Sequence, residues 1–444
     1  MSNNYRNIAI DSLKKVLKDN AYSNIVINND IKRIENKYEA LYRKSVLGVI
    51  ENIIYIDWII NQISKTKTNK METEVLFTLR LAVYQLIFLE NSYENIVVNE
   101  SVQHIKEKVN DRASKFVNAI LRNIIRNKEK IDTDLNKLPN VDYLSVKYSY
   151  PKWLVRKWIS QFGKENIEEV LKTNNLQSFF EIRVNTLKTS RDELISILNN
   201  KGFKTFKSQL VDKCLIIENP REIDKTEEYK NGLFSIQSES SMLAGQVLNP
   251  RKNSFIIDLC AAPGGKSLNT AEMLEGSGNI ISRDIYKNKM SLINKEIKRL
   301  NLTNIKTEVF DATVLDEKLV GKADYCIVDV PCTGLGIIMR KPEIKYNKNE
   351  EEIKSIIEIQ QKILQNASKY LKSGGELVYS TCTTNKEENI NVIKKFLENN
   401  ENYIVVDITK ETKNKFNTSK YGYIEIYPHM HNMDGFFIAK LKRL

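Results

Sequence analysis

A chain of 444 residues is too long for one ordinary core, so two or three domains are expected. Its 68 Lys+Arg against 56 Asp+Glu give a formal charge of +12, which suits a polyanionic partner as well as it serves solubility. Five cysteines without a Cys-x-x-Cys pair exclude a disulfide framework and a structural zinc site, and no stretch of about 18 apolar residues offers a membrane span.

The N-terminal residues carry no apolar signal core. The expected setting is therefore a reducing cytoplasm, with no membrane, no metal and a chain acting as a monomer.

From residue 5 to about 130 apolar positions recur at helical spacing, proline is absent and Gly48 is the only glycine, which predicts an all-α domain. Val75, Leu79, Ala82 and Leu86 share one face, and Val117, Ile120, Leu121 and Ile124 another; such stripes are plain core. Arg112, Lys115, Arg122 and Arg126 recur on the far side of the latter helix, where a solvated face is the simpler reading and RNA contact the alternative.

Residues 132–139 turn polar and end in Pro139, which reads as a linker with a boundary near residue 137. Mixed elements follow: a helix over Pro151–Gln161, a strand over Phe179–Leu187, a helix over Ser190–Asn199 and a strand over Cys214–Glu218, together a small α+β domain. From Ser254 strands and helices alternate, which predicts a parallel sheet with helices on both faces and, near the C-terminus, closing strands at Ile404–Ile408, Tyr423–Tyr427 and Phe436–Leu441. The predicted division is 1–136 all-α, 137–235 α+β and 236–444 Rossmann-like α/β.

In a doubly wound sheet the cofactor binds where the first strand ends in a sharp turn. Here that turn is Asp258-Leu259-Cys260-Ala261-Ala262-Pro263-Gly264-Gly265-Lys266. A P-loop would need glycine where Cys260 stands, and Gly-x-Gly-x-x-Gly is absent, so a full phosphate cradle is excluded. A bulky, cationic, phosphate-free cofactor such as S-adenosylmethionine fits better. Asp284, Asp311 and Asp329 end successive strands, where carboxylates would accept ribose hydroxyls, the adenine amine and neighbouring donors.

Cys332 in Asp329-Val330-Pro331-Cys332 and Cys382 in Ser380-Thr381-Cys382-Thr383 each follow an apolar run and fall at the ligand-bearing edge. Cys326 and Cys214 lie inside predicted strands and read as core. The three histidines, His104, His429 and His431, pair with neither thiol by sequence, so a Cys-His protease is excluded. Two strand-end thiols beside a nucleotide-like cofactor suit methylation at carbon 5 of a pyrimidine, a poor nucleophile until a thiolate adds at carbon 6.

These motifs resemble those of the RNA cytosine-5 methyltransferases, over nearly the whole chain. Arg183–Lys188, Phe234–Leu243 and Asp434–Phe437 are similar to further signatures of that family. Thr383 stands where many members have serine, and Lys341 where an arginine is expected. The first domain resembles the helical NusB fold, which points to the branch acting on bacterial 16S ribosomal RNA; by that resemblance it adds RNA affinity without entering the chemistry.

The resemblance implies that Cys382 attacks carbon 6 and Cys332 assists product release, whereas DNA cytosine methyltransferases attack with the Pro-Cys thiol. It places Asp329 beside methyl donor and cytosine, and a further expectation is that Lys266 lowers the pKa of a nearby thiol. Two alternatives stay open: the same chemistry on transfer RNA or another RNA, and a non-catalytic RNA-binding or antitermination factor.

Overall fold

The computed structural model describes residues 4–90 and 93–444. It forms two compact units, Met1–Leu176 together with Ile338–Asn347, and Gln177–Ile337 together with Lys348–Leu444.

The first unit is helical. Val75, Leu79, Ala82 and Leu86 from the helix Thr73–Phe88, and Val117, Ile120, Leu121 and Ile124 from Asp111–Arg126, enter one core. The latter helix starts where the Asn110 side chain accepts from Ala113 N–H, and its Arg112, Lys115, Arg122 and Arg126 are exposed. Of the polar stretch expected to be a linker, residues 132–135 finish a helix and residues 136–139 are turn and loop. Lys128–Leu135 buries Ile131 and Leu135 and leaves its charges outside, so in the first half of that stretch the polar composition belongs to an exposed helix face.

Helices Asn140–Tyr148, Lys152–Phe162 and Ile167–Thr173 continue within the same unit. So does the distant stretch Ile338–Asn347, with a short 3-10 turn at Pro342–Lys345. No single helix among the described residues is long and apolar enough to cross a membrane.

The second unit holds two sheets. Strands β1 (Phe180–Val184), β2 (Lys204–Lys207), β3 (Cys214–Glu218) and β4 (Phe234–Ile236) form an antiparallel sheet in the order β2-β3-β1-β4. Its helix Arg191–Asn200 begins with a capping box between Ser190 and Glu193. β2 and β4 escaped the sequence pattern because one is nearly all exposed and the other three residues long.

The larger sheet contains β5 (Phe255–Asp258), β6 (Asn279–Asp284), β7 (Ile305–Val309), β8 (Ala323–Asp329), β9 (Leu371–Thr381), β10 (Tyr403–Val405), β11 (Tyr423–Ile426) and β12 (Phe436–Arg443). The order is β10-β12-β9-β8-β5-β6-β7, with β11 also on β12. β5 to β9 are parallel, and β10 to β12 join antiparallel at one end as the closing strands. The chain runs from β5 outward through β6 and β7, then returns to β8 on β5's other side. That reversal makes the carboxyl ends of β5 and β8 a topological switch point, where open α/β sheets bind ligands.

Candidate active site

The turn after β5 bends into the helix Gly265–Met273 through Gly264, whose φ of +106° is a conformation L side chains rarely adopt. Asp258, at the strand's end, accepts from Ser267 Oγ and from Cys260 N–H. Burial, above all, pushes its carboxyl up to about 7.

Behind the turn the fully buried Arg183 of β1 donates to Gly265 O at 3.1 Å, to both Glu272 carboxylate oxygens at 3.1 and 2.8 Å, and to Gln237. The small sheet thereby braces the turn. Arg183→Ala would leave Glu272 as an uncompensated buried charge, so a loss of about 3–5 kcal/mol is expected in denaturant unfolding; a loss below about 1 kcal/mol would remove the brace.

The expected carboxylates converge. Asp284, ending β6, accepts from Ala262 N–H at 3.1 Å and Tyr286 N–H at 3.0 Å. Asp311, after β7, accepts from Thr313 N–H at 2.8 Å and its hydroxyl at 2.7 Å. Asp329, ending β8, accepts from Lys266 Nζ and Ser380 Oγ, each at 2.7 Å. Cys260 lies among them: burial and then Asp258, Asp329, Asp284 and Asp311 push its thiol well up.

An acceptor-rich edge around a tight glycine turn fits a donor that brings hydroxyls, an amine and a cationic centre. The ammonium of Lys266 is engaged by Asp329 and lies 5.0 Å from the Phe436 ring centroid, so it serves the carboxylate rather than a thiol.

Asp329 of β8 is registered against Ser380 of β9, and the two loops that follow bring Cys332 Sγ and Cys382 Sγ to 3.2 Å. The hydrogen bond with Cys382, followed by burial, pushes the Cys332 thiol well up, so Cys332 holds its proton. Gly336 fits here because a Cβ would lie 2.0 Å from Gly435 O and 2.9 Å from Cys382 O. Its N–H donates to Cys382 O at 3.0 Å.

Buried Glu388 escaped the sequence reading although it stands just beyond the Cys382 motif. Its carboxylate accepts from Thr333 N–H at 2.8 Å and Oγ1 at 2.6 Å, from Asn385 Nδ2 at 3.0 Å and from Gln360 Nε2 at 3.3 Å. Thr333 follows Cys332, and its hydroxyl meets that of Thr383 at 2.9 Å. One carboxylate thus fastens both cysteine loops. The hydroxyl kept at Thr383 is part of this network.

Cys326 and Cys214 are buried thiols pushed up by desolvation, as core residues should be. His431 is committed to its own turn, accepting from Tyr427 N–H at 3.0 Å, and His104 to Asn7 and Glu74 in the helical unit.

A glycine turn at the switch point of a mainly parallel sheet, edged by strand-end carboxylates, defines a Rossmann-like methyltransferase. Residues 245–442 match the family model for 16S rRNA methyltransferase RsmB/F, residues 3–126 that of the NusB family, and residues 150–224 the RsmF/B-like ferredoxin-like domain. The chain is 33% identical to the probable ribosomal RNA small subunit methyltransferase B of Bacillus subtilis over 99% of its length and 98% of that protein's.

It is 33% identical to the mouse 28S rRNA (cytosine-C(5))-methyltransferase over 68% of this chain and 40% of that one. The crystal structure of PH0851, 26% identical, superposes with a TM-score of 0.86 over 100% of both chains. The chain belongs to the RsmB/F family of 16S rRNA methyltransferases.

Proposed function

We propose that this protein transfers a methyl group from S-adenosylmethionine to carbon 5 of a cytosine in 16S ribosomal RNA through a covalent cysteine–cytosine adduct. The observation that carries this reading is the pair of thiols 3.2 Å apart beside the acceptor-lined turn. Cys260, Ala261, Ala262, Pro263, Gly264, Gly265 and Lys266 with Asp284, Asp311 and Asp329 hold the cofactor, which supplies an electrophilic methyl group when bound.

Cys382, as thiolate, adds to carbon 6 and makes carbon 5 nucleophilic. Carbon 5 then carries both its proton and the new methyl group; loss of that proton restores the double bond as the carbon–sulfur bond breaks and Cys382 leaves as thiolate. Cys332 keeps its proton while it shares a hydrogen bond with Cys382, and that bond is lost once Cys382 is committed to the ring. Freed of it, Cys332 releases its own proton to solvent and, as thiolate, takes the proton from carbon 5, so that the double bond re-forms as the carbon–sulfur bond to Cys382 breaks. Residues 1–136 are the RNA-binding domain, 137–235 the linking domain and 236–444 the methyltransferase domain.

Asp284→Ala is expected to weaken S-adenosylmethionine binding more than tenfold in calorimetry, since charge-assisted hydrogen bonds contribute about 1.5–3 kcal/mol each. Unchanged affinity would take Asp284 out of the site. The substrate is tested by transfer of radiolabelled methyl groups to unmodified 16S RNA and to transfer RNA: the first should be labelled and the second not. Equal labelling of transfer RNA would contradict the assignment.

A further inference from the structure

The helical unit grips a piece of chain that belongs, in sequence, to the catalytic region. After Cys332 the chain turns at Gly334–Ile337, with Ile337 N–H donating to Gly334 O at 3.0 Å, and Ile338–Asn347 then packs among residues 1–176 before the chain resumes at Lys348.

This ten-residue stretch is held by buried polar groups as well as by apolar ones. Glu343 is 1% exposed, and its carboxylate accepts from Ser23 N–H at 3.0 Å and Ser23 Oγ at 2.8 Å, at the start of the helix Ser23–Asp30, where a negative charge is favoured. Lys345 is fully buried and donates to Glu51 O, at the end of the helix Glu39–Glu51, and to Asn175 Oδ1, both at 2.9 Å.

The Lys345 ammonium also lies 4.2 Å from the Tyr150 ring centroid, and Tyr346 OH reaches Ser149 O at 3.1 Å. Burying a lysine is costly, and desolvation holds this one down at about 7. Ordinary loop docking needs no such group; one glutamate and one lysine, each committed to a helix end, fix where the stretch sits.

Only a few residues join Cys332 to this anchor, at most about 3.3–3.6 Å of reach apiece. We infer that the helical unit, by holding Ile338–Asn347 through Glu343 and Lys345, positions the loop that carries Cys332 and so contributes to turnover, beyond any affinity it lends for RNA. The inference rests on the proposed role of Cys332 in elimination. Glu343 and Lys345 are positioning residues; they act through the loop.

The test uses the full chain with two changes made separately: Glu343→Gln, which weakens the anchor, and a Gly-Ser-Gly insertion between Ile337 and Ile338, which leaves every anchoring contact in place but slackens the connection. For both, turnover on unmodified 16S RNA should fall by about tenfold or more, as misplacement of a reacting group does. The KM for RNA should stay within about twofold, and a denaturation-resistant RNA–protein adduct should accumulate because attack survives while elimination slows.

Wild-type turnover with no excess adduct in the insertion variant would overturn the inference. Slow turnover accompanied by loss of adduct would instead uphold positioning while assigning the attack to Cys332, an outcome that the single cysteine variants report independently.

Discussion

Cys382→Ala is expected to abolish both methylation and the covalent RNA adduct, because without that thiolate nothing adds to carbon 6 and carbon 5 stays unreactive. Cys332→Ala is expected to do the reverse: attack and methyl transfer proceed, elimination stalls, and a protein–RNA band survives denaturing electrophoresis. The two sulfurs lie 3.2 Å apart, close enough to act on one ring, and the asymmetry follows from the roles proposed for them, attack for Cys382 and release for Cys332. An adduct with Cys382→Ala and none with Cys332→Ala would exchange the two roles and leave the reaction class intact.

Glu388→Ala carries the next largest expected effect. Removing the carboxylate leaves the buried Thr333 N–H without its acceptor, at about 1–3 kcal/mol, and cuts the tie from the Cys332 loop to Asn385, so that the Thr333–Thr383 hydroxyl contact is left to hold the two loops by side chains. Loss of registry of that kind costs about 100-fold in rate. Single-turnover methylation should show that loss with RNA affinity little changed, and Glu388→Gln, which keeps one acceptor oxygen, should recover part of it. Full activity in Glu388→Ala would mean that the two loops hold their geometry without the clamp.

What was legible in the sequence is local. The cofactor turn could be read because Pro263, Gly264, Gly265 and Lys266 are contiguous and follow an apolar strand, and the cysteines because each closes such a strand. The carboxylates were legible because β6, β7 and β8 end one after another in aspartate or just before it.

What stayed hidden depends on packing between distant residues. Arg183 acts on Gly265 from another sheet, and Glu388 ties together two loops whose cysteines are 50 residues apart. The stretch Ile338–Asn347 has the composition of an ordinary loop, and only its burial among the helices shows it to be an anchor. At residues 132–139 the first half finishes the helix Lys128–Leu135 under exposed charges and the second half is turn and loop, so polar composition alone does not mark where the helix stops.

The most direct test of the account traps the intermediate and locates the bond. RNA carrying 5-fluorocytosine at the target accepts thiolate and methyl group but cannot lose fluorine as a proton is lost, so elimination is blocked. Incubation with S-adenosylmethionine, followed by proteolysis and mass spectrometry, should find the methylated pyrimidine joined to the peptide containing Cys382. Linkage to the Cys332 peptide, or methylated RNA with no trapped protein at all, would contradict it.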